Sequence, residues 1–198
     1  MVMLPAPKRL GPRVRLAFPR LRDRDEILAL SRASRAFHRG FASPPSTPEQ
    51  FRRLLARTRR SDFASLLIRR RADDAILGAI EISEIVRSIF RSAYLGYQIG
   101  AAYARQGYMT EALELALAYG FGPLGLHRLE ANIQPHNAPS IALVRRLGFT
   151  REGYSRRYLK IGGRWRDHER WAILAEDWRI QESTSDPGSC AGRGRPLI

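Results

Sequence analysis

The 198-residue chain reads as an α/β (α+β) fold, and three stretches of it say so. Phe63 to Arg70 and Ala75 to Ile85 are two Ile- and Leu-rich runs separated by Ala72-Asp73-Asp74, the pattern of a β-hairpin. Tyr94 to Gly100 reads as a third strand that leads, past Gly107, into a helical stretch ending near Tyr119. Arg128 to Ile133 then reads as a strand, Pro139 to Leu147 as a capped helix and Phe149 to Gly153 as a returning strand. Strands in hairpin order followed by strands alternating with helices predict one sheet with helices packed on it.

The remaining elements fall into order around these. Residues 1–12 are Pro-rich and read as an N-terminal arm, leading into the alternating Val14-Arg15-Leu16-Ala17-Phe18, a first strand. A helix opens at Arg22-Asp23-Arg24-Asp25, with Asp23 as candidate N-cap and Ile27, Leu28, Leu30 and Ala33 near helical spacing. Pro44, Pro45 and Pro48 make the stretch from Phe37 to Pro48 a loop. Thr47-Pro48-Glu49-Gln50 has the form of a capping box with proline in the first turn, and Phe51, Leu54 and Leu55 give its helix an apolar face. Arg156 to Ile161 and Arg170 to Leu174 read as a closing hairpin around Gly162-Gly163. From Gln181 onward Ser, Gly, Pro and Arg dominate, which predicts disorder. The organisation expected is an arm (1–12), one domain (13–180) and a disordered tail (181–198).

Composition narrows the class. With 44% hydrophobic and 27% charged residues the chain suits a soluble globular protein. No window approaches the roughly 18 apolar residues of a membrane helix, and the N-terminus lacks the order of a secretory signal. Cys190 is the single cysteine, so no disulfide forms within the chain, and a cytoplasmic location is expected. The net charge of +15 is the unusual total. Such a field attracts polyanions such as nucleic acid, ribosomes or CoA phosphates, unless it reflects only Arg-rich solvated helix faces. No His, Cys, Asp or Glu spacing resembles a metal site, and neither GxGxxG nor the Walker pattern occurs.

Two stretches carry chemistry. Gly107 precedes strong helix formers, so the amides of Arg105, Gln106, Gly107, Tyr108, Met109 and Thr110, with the Arg105 guanidinium, can seat a diphosphate at a helix N-terminus. An ordinary turn explains the same glycine. In the second stretch, Asn137 caps a helix with Pro139 in its first turn; Ile141, Val144 and Leu147 line its buried side, and Gly148 ends it. Ser140 lies in that first turn, where capping is its simplest use.

In this order the elements resemble the GNAT superfamily of N-acetyltransferases, whose pyrophosphate motif is R/Q-x-x-G-x-G/A and whose next helix begins N-x-x-S and ends in G-F. Here the motif starts at Ala104, keeps Gly107 and ends at Met109; losing the first side chain removes one contact and leaves the amides. Gly96-Tyr97-Gln98-Ile99-Gly100, His127 to Asn132, Pro135-His136-Asn137, Glu152-Gly153-Tyr154 and Gly163-Arg164-Trp165-Arg166-Asp167-His168 resemble the RimJ/RimL-type ribosomal-protein N-terminal acetyltransferases, the RimJ branch most of all. The similarity runs from about Arg13 to Trp178.

The resemblance implies a mixed, mostly antiparallel sheet splayed in the middle and flanked by helices. It implies acetyl-CoA as co-substrate, no metal, and direct attack of an amine in a ternary complex. Gln98, Ile99 and Gly100 would hold the acetyl carbonyl and pantetheine, with Asn137 and Ser140 joining the 105–110 amides in the cofactor site. Ser140 would protonate the departing thiolate, with Tyr154 its rival. Glu152 is the candidate base, and Glu81, Glu84 and Glu130 are further options; each is alternatively a surface carboxylate paired with one of the 34 basic residues. His136 and His168 read as hydrogen-bonded polar residues, and Trp165, Trp171 and Trp178 as packing. The acceptor would be a protein N-terminus, for instance of a ribosomal protein reached through the basic surface. A small-molecule amine acceptor, or a non-catalytic nucleic-acid- or ribosome-binding module, are the alternatives.

Overall fold

The computed structural model describes residues 4–178; the expected disordered tail and Cys190 lie outside the described residues. Seven strands form one sheet: β1 (Val14–Ala17), β2 (Phe63–Arg70), β3 (Ile76–Val86), β4 (Ser92–Ile99), β5 (Arg128–Ile133), β6 (Thr150–Ile161) and β7 (Arg164–Leu174). Their order is β1-β2-β3-β4-β5-β7-β6. The helices that accompany them are α1 (Arg24–Ala33), α2 (Arg35–His38), α3 (Pro48–Arg57), α4 (Tyr108–Phe121) and α5 (Ala138–Arg146). Every neighbouring pair is antiparallel except β4 and β5. That parallel pairing lasts only from Ser92↔Arg128 to Tyr94↔Glu130. Beyond Tyr94, β4 continues to Ile99 on β3 alone, so the sheet opens into a wedge between β4 and β5.

The two faces of the sheet differ because side chains alternate along each strand. Ile80, Ile82, Leu95, Leu129, Ala131 and Ile133 join one cluster with Leu113, Ala116 and Leu117 of α4. Nearly every residue of α4 from Glu111 to Phe121 is buried, as expected for a helix laid across a sheet. On the opposite face Leu67 and Ile76 pack with Ile27, Leu28 and Phe51 of α1 and α3. That second face also carries carboxylates, Glu81 between Ile80 and Ile82 and Glu130 between Leu129 and Ala131. Among the described residues no helix is long and apolar enough to cross a membrane.

Local expectations hold at α3. Thr47 Oγ1 accepts the Gln50 N–H at 3.3 Å, and Gln50 Oε1 accepts the Thr47 N–H at 3.2 Å. The ends of β6 and β7 differ from expectation. β6 runs without a break from Thr150 to Ile161, absorbing the two separate segments expected there, and β7 begins at Arg164 rather than Arg170. Register slips between Arg151 and Gly153 and between Ser155 and Leu159 take up the surplus residues. β6 is an edge strand exposed along most of its length, so no apolar alternation marks it. Gly162 (φ 57°) and Gly163 (φ 79°) form the two-residue turn. The loop expected from Phe37 also begins later, since Arg35–His38 folds as one helical turn.

Asp23 is a second correction. It occupies the N-cap of α1, but its side chain makes no cap there. Instead Oδ2 accepts the Arg20 N–H at 2.7 Å, and Oδ1 accepts from Arg69 Nη2 at 2.6 Å in a buried ion pair. A buried guanidinium on β2 is the stronger claim on that carboxylate.

Candidate active site

The wedge and the N-terminus of α4 are built by one continuous segment. After β4, Gly100 turns into a short 3-10 helix (Ala101–Tyr103), and the chain then reverses through Arg105 (φ 60°) and Gly107 (φ 82°), both left-handed. Gly107 is the N-cap of α4, and its carbonyl accepts the Glu111 N–H at 3.2 Å. The amides of Tyr108, Met109 and Thr110 precede the first intrahelical bond, so they point outward with the positive end of the helix dipole. Arg105, Gln106 and Gly107 are exposed at this end. The absence of a Cβ at Gly107 leaves room for the Arg13 guanidinium, whose Nη2 lies 3.0 Å from where that Cβ would stand, and the donor set fits a diphosphate.

Two residues that the sequence reading passed over hold this loop. Arg13 donates from Nη1 to the Gln106 carbonyl (2.9 Å) and lies 4.7 Å over the Tyr108 ring. Its Nε donates to Glu111 Oε2 (3.1 Å). Glu111 Oε1 in turn accepts the N–H groups of Arg13 (2.6 Å) and Val14 (2.8 Å), tying β1 to the first turn of α4. The available signal was the carboxylate itself, a buried Glu at the head of an otherwise apolar helix.

Along the wedge, the alternation of an antiparallel ladder sorts the expected cofactor amides. The Gly100 N–H is spent on the Leu77 carbonyl at 2.7 Å, which corrects the expectation of a free amide there. By alternation Gln98 also faces β3, whereas the amides of Ile99 and Tyr97 face the wedge. The Ile99 carbonyl meets His38 Nε2 at 2.8 Å, which draws the end of α2 to the wedge.

Across the wedge stands α5. Asn137 Oδ1 accepts the Ser140 N–H (3.4 Å), so the cap is as expected. Ser140 Oγ lies 2.5 Å from Tyr97 Oη on β4. Desolvation pushes the Tyr97 phenol up to about 12. Tyr97 therefore stays protonated at neutral pH and can donate to Ser140 Oγ, which frees the serine proton for a partner in the wedge. Tyr97 is the member of this pair that the sequence reading did not single out.

The candidate bases are in contrasting settings. Glu81 sits directly between Ser65 on β2 and Gly96 on β4 in the cross-strand register. Gly96 has open space where a Cβ would stand, so no side chain separates Glu81 from the wedge. Glu81 has no hydrogen-bond partner among the described residues, and burial raises its pKa against a weaker opposing pull from Arg57. It borders a cavity of about 30 Å³ with Leu30, Pro44, Pro45 and Leu67, where Ser65 Oγ and His38 Nδ1 are buried without partners. Glu152, by contrast, is gripped by Arg128 through Nη1–Oε1 (2.8 Å) and Nη2–Oε2 (2.5 Å), which lowers its pKa. Glu130 accepts from the same Arg128 at 3.0 Å. Glu84 is exposed at an irregularity in β3. Tyr154 is exposed on β6 and donates to Asp167 Oδ2 at 2.5 Å, an interaction that raises its pKa.

His168 is buried, hydrogen-bonded to the Arg166 carbonyl (3.0 Å) and shifted down by desolvation; His136 stacks on Phe41. Trp171 and Trp178 are core residues, whereas Trp165 is 60% exposed, which rules out core packing for it.

Residues 13–150 match the acetyltransferase (GNAT) domain family. The chain belongs to the GNAT acetyltransferases. A stretch of 103 residues is 45% identical to the ribosomal protein uS5-alanine N-acetyltransferase of Escherichia coli (strain K12), covering 52% of this chain and 53% of that protein. Over 107 residues the chain is 31% identical to the spermidine N(1)-acetyltransferase of the same strain, covering 54% and 57% respectively. The chain thus spans about half the length of the curated relatives it matches. Among solved structures, Mycobacterium smegmatis RimJ in complex with CoA-disulfide superposes with a TM-score of 0.77 at 28% identity, covering 90% of this chain and 95% of that one. The mixed, mostly antiparallel GNAT sheet with its central splay is the fold of this protein.

Proposed function

We propose that this GNAT protein transfers the acetyl group of acetyl-CoA to the α-amino group of a protein N-terminus, such as that of a ribosomal protein, in the cytoplasm. The observation that carries the reading is the wedge, which has a proton donor on one wall and an ionisable carboxylate on the other. The α4 amides, steadied by Arg13, take the diphosphate, and the Ile99 and Tyr97 amides face the pantetheine and acetyl group. An α-amine has a pKa near 8, so a useful fraction is neutral at pH 7. Its nitrogen attacks the thioester carbon, and its surplus proton leaves for Glu81, directly or through water. The carbon–sulfur bond then breaks, the thiolate takes the Ser140 proton, Tyr97 replaces that proton, and water restores the phenol as Glu81 releases the proton it took from the amine. Glu152 and Tyr154 are less suited: one is a weakened base beside Arg128, and the other has its proton committed to Asp167.

The identity to a spermidine acetyltransferase supports a second acceptor class, small polyamines. A polycation is served by an acidic surface, and a chain of net charge +15 offers a poor one. Thiol release is to be measured with Ala- and Ser-starting peptides and with spermidine. Turnover on peptides exceeding that on spermidine is expected. The reverse order moves the assignment to polyamines, and the absence of saturable acetyl-CoA binding by calorimetry removes the transferase altogether.

A further inference from the structure

β5 pairs with β7 only as far as Ile133↔Glu169, so beyond the Tyr154↔Glu169 pair residues 155–168 pair only with each other and leave the sheet as a two-stranded ribbon. Arg156, Arg157, Lys160 and Arg164 are exposed on it, and none forms an ion pair among the described residues. Several arginines elsewhere are held in ion pairs, as in Arg15–Asp74, Arg24–Asp25, Arg60–Asp62 and Arg70–Asp73. The ribbon's single acid, Asp167, is already occupied by the Tyr154 hydroxyl (2.5 Å) and the Arg157 N–H (2.7 Å).

Aromatic rings lie among these charges. Lys160 and Trp165 are direct cross-strand partners, so their side chains leave the same face about 5 Å apart. Asp167, two residues from Trp165, shares that face and holds Tyr154 there. Trp165 is 60% and Tyr154 47% exposed, so neither ring contributes its full area to packing. A flat ring beside a cation on an unneutralised ribbon matches a strand of phosphates carrying unstacked bases. An acidic protein surface would satisfy the cations and leave the ring without use.

We infer that the β6–β7 ribbon docks a single-stranded segment of RNA, with Trp165 stacking on a base while Lys160 beside it and the other cations of the ribbon contact phosphates. The inference goes beyond the transferase reading; only the choice of RNA over DNA rests on it, because a ribosomal acceptor is presented on RNA. In use, the docked strand would lie beside the wedge, since Tyr94 on β4 and Tyr158 on β6 meet hydroxyl to hydroxyl at 3.3 Å.

The test is fluorescence anisotropy of a labelled single-stranded RNA with the full chain, compared with the same DNA strand, duplex RNA and polyglutamate. Saturable RNA binding is expected, with the logarithm of affinity falling linearly against the logarithm of salt. The K160E/R164E double variant should abolish it. W165A should weaken single-stranded RNA by at least about fivefold while leaving polyglutamate unchanged. Calorimetry with acetyl-CoA at moderate salt verifies that each variant is folded, and W165A keeps the test open should the double variant not fold. Wild-type RNA binding by W165A, or equal binding of polyglutamate and RNA, overturns the inference. Tighter binding of the DNA strand overturns the choice of RNA. A failure of the wild-type chain to bind acetyl-CoA would count against the transferase reading alone.

Discussion

Ser140 and Glu81 make opposite demands on a proton, and their surroundings meet them separately. Ser140 is backed by a phenol that burial keeps protonated, so Tyr97→Phe should remove the resupply of its proton and leave the cap and the diphosphate seat intact. A fall in kcat of about 100-fold, with little change in KM for acetyl-CoA, is the expected result by steady-state kinetics; unchanged kcat would show that Ser140 works alone. Glu81 has its pKa raised by desolvation. The folded protein therefore holds a proton there more tightly than the unfolded chain does. The stabilisation this gives is complete below the ordinary Glu value and is lost as pH rises through the raised one. Glu81→Gln should remove that pH dependence from thermal melts and raise the melting temperature at neutral pH. The same variant should abolish the acid limb of the kcat/KM profile, a limb that in the wild type should lie above the ordinary carboxylate range. Neither Tyr97 nor the isolation of Glu81 was readable in sequence, because both depend on what stands across the wedge. Asn137 and Ser140 were readable, because a cap is a matter of three residues.

Elements were legible where their cause is local. The Thr47–Gln50 box and the Gly162-Gly163 turn follow from side chains and φ angles within a few positions. Asp23 was misjudged because its partner, Arg69, lies on a strand formed much later in the chain. β6 was misjudged because an exposed edge strand has no buried face to imprint on the sequence. The loop before α4 combines both cases. Its glycine was evident, yet the brace behind it, Arg13 on Gln106 and Glu111, comes from the opposite end of the chain. Gly107→Ala should expose that dependence. The left-handed φ of 82° costs a side chain about 1–2 kcal/mol, and the new Cβ would stand 3.0 Å from Arg13 Nη2. A lower melting temperature together with roughly tenfold weaker acetyl-CoA binding by calorimetry is expected, since about 1.4 kcal/mol corresponds to that factor. A variant that lost stability but kept its affinity would show that the brace shapes the loop without serving the ligand.

For the molecule as a whole, sequence supplied the sum of charges but not their positions. A net charge of +15 is compatible with arginines scattered evenly or gathered in one place. Pairings such as Arg69–Asp23 and Arg128–Glu152 fix where the acids are spent and leave the excess on other cations, those of the ribbon and of the open end of α4 among them. The excess nevertheless acts at a distance, because a field from many charges is felt over the Debye length, about 10 Å at 0.1 M salt. CoA carries several phosphate charges, so this field and the short-range α4 amides should both draw it in, and salt separates the two. Raising ionic strength screens the field but barely affects hydrogen bonds made inside the loop. KM for acetyl-CoA should therefore rise steadily with added salt while kcat stays level, because the transfer step takes place inside the wedge. A KM that stays flat across the same range would mean that the amide seat captures the co-substrate unaided. In that case the excess charge would have to be explained by the acceptor or by the ribbon's own partner.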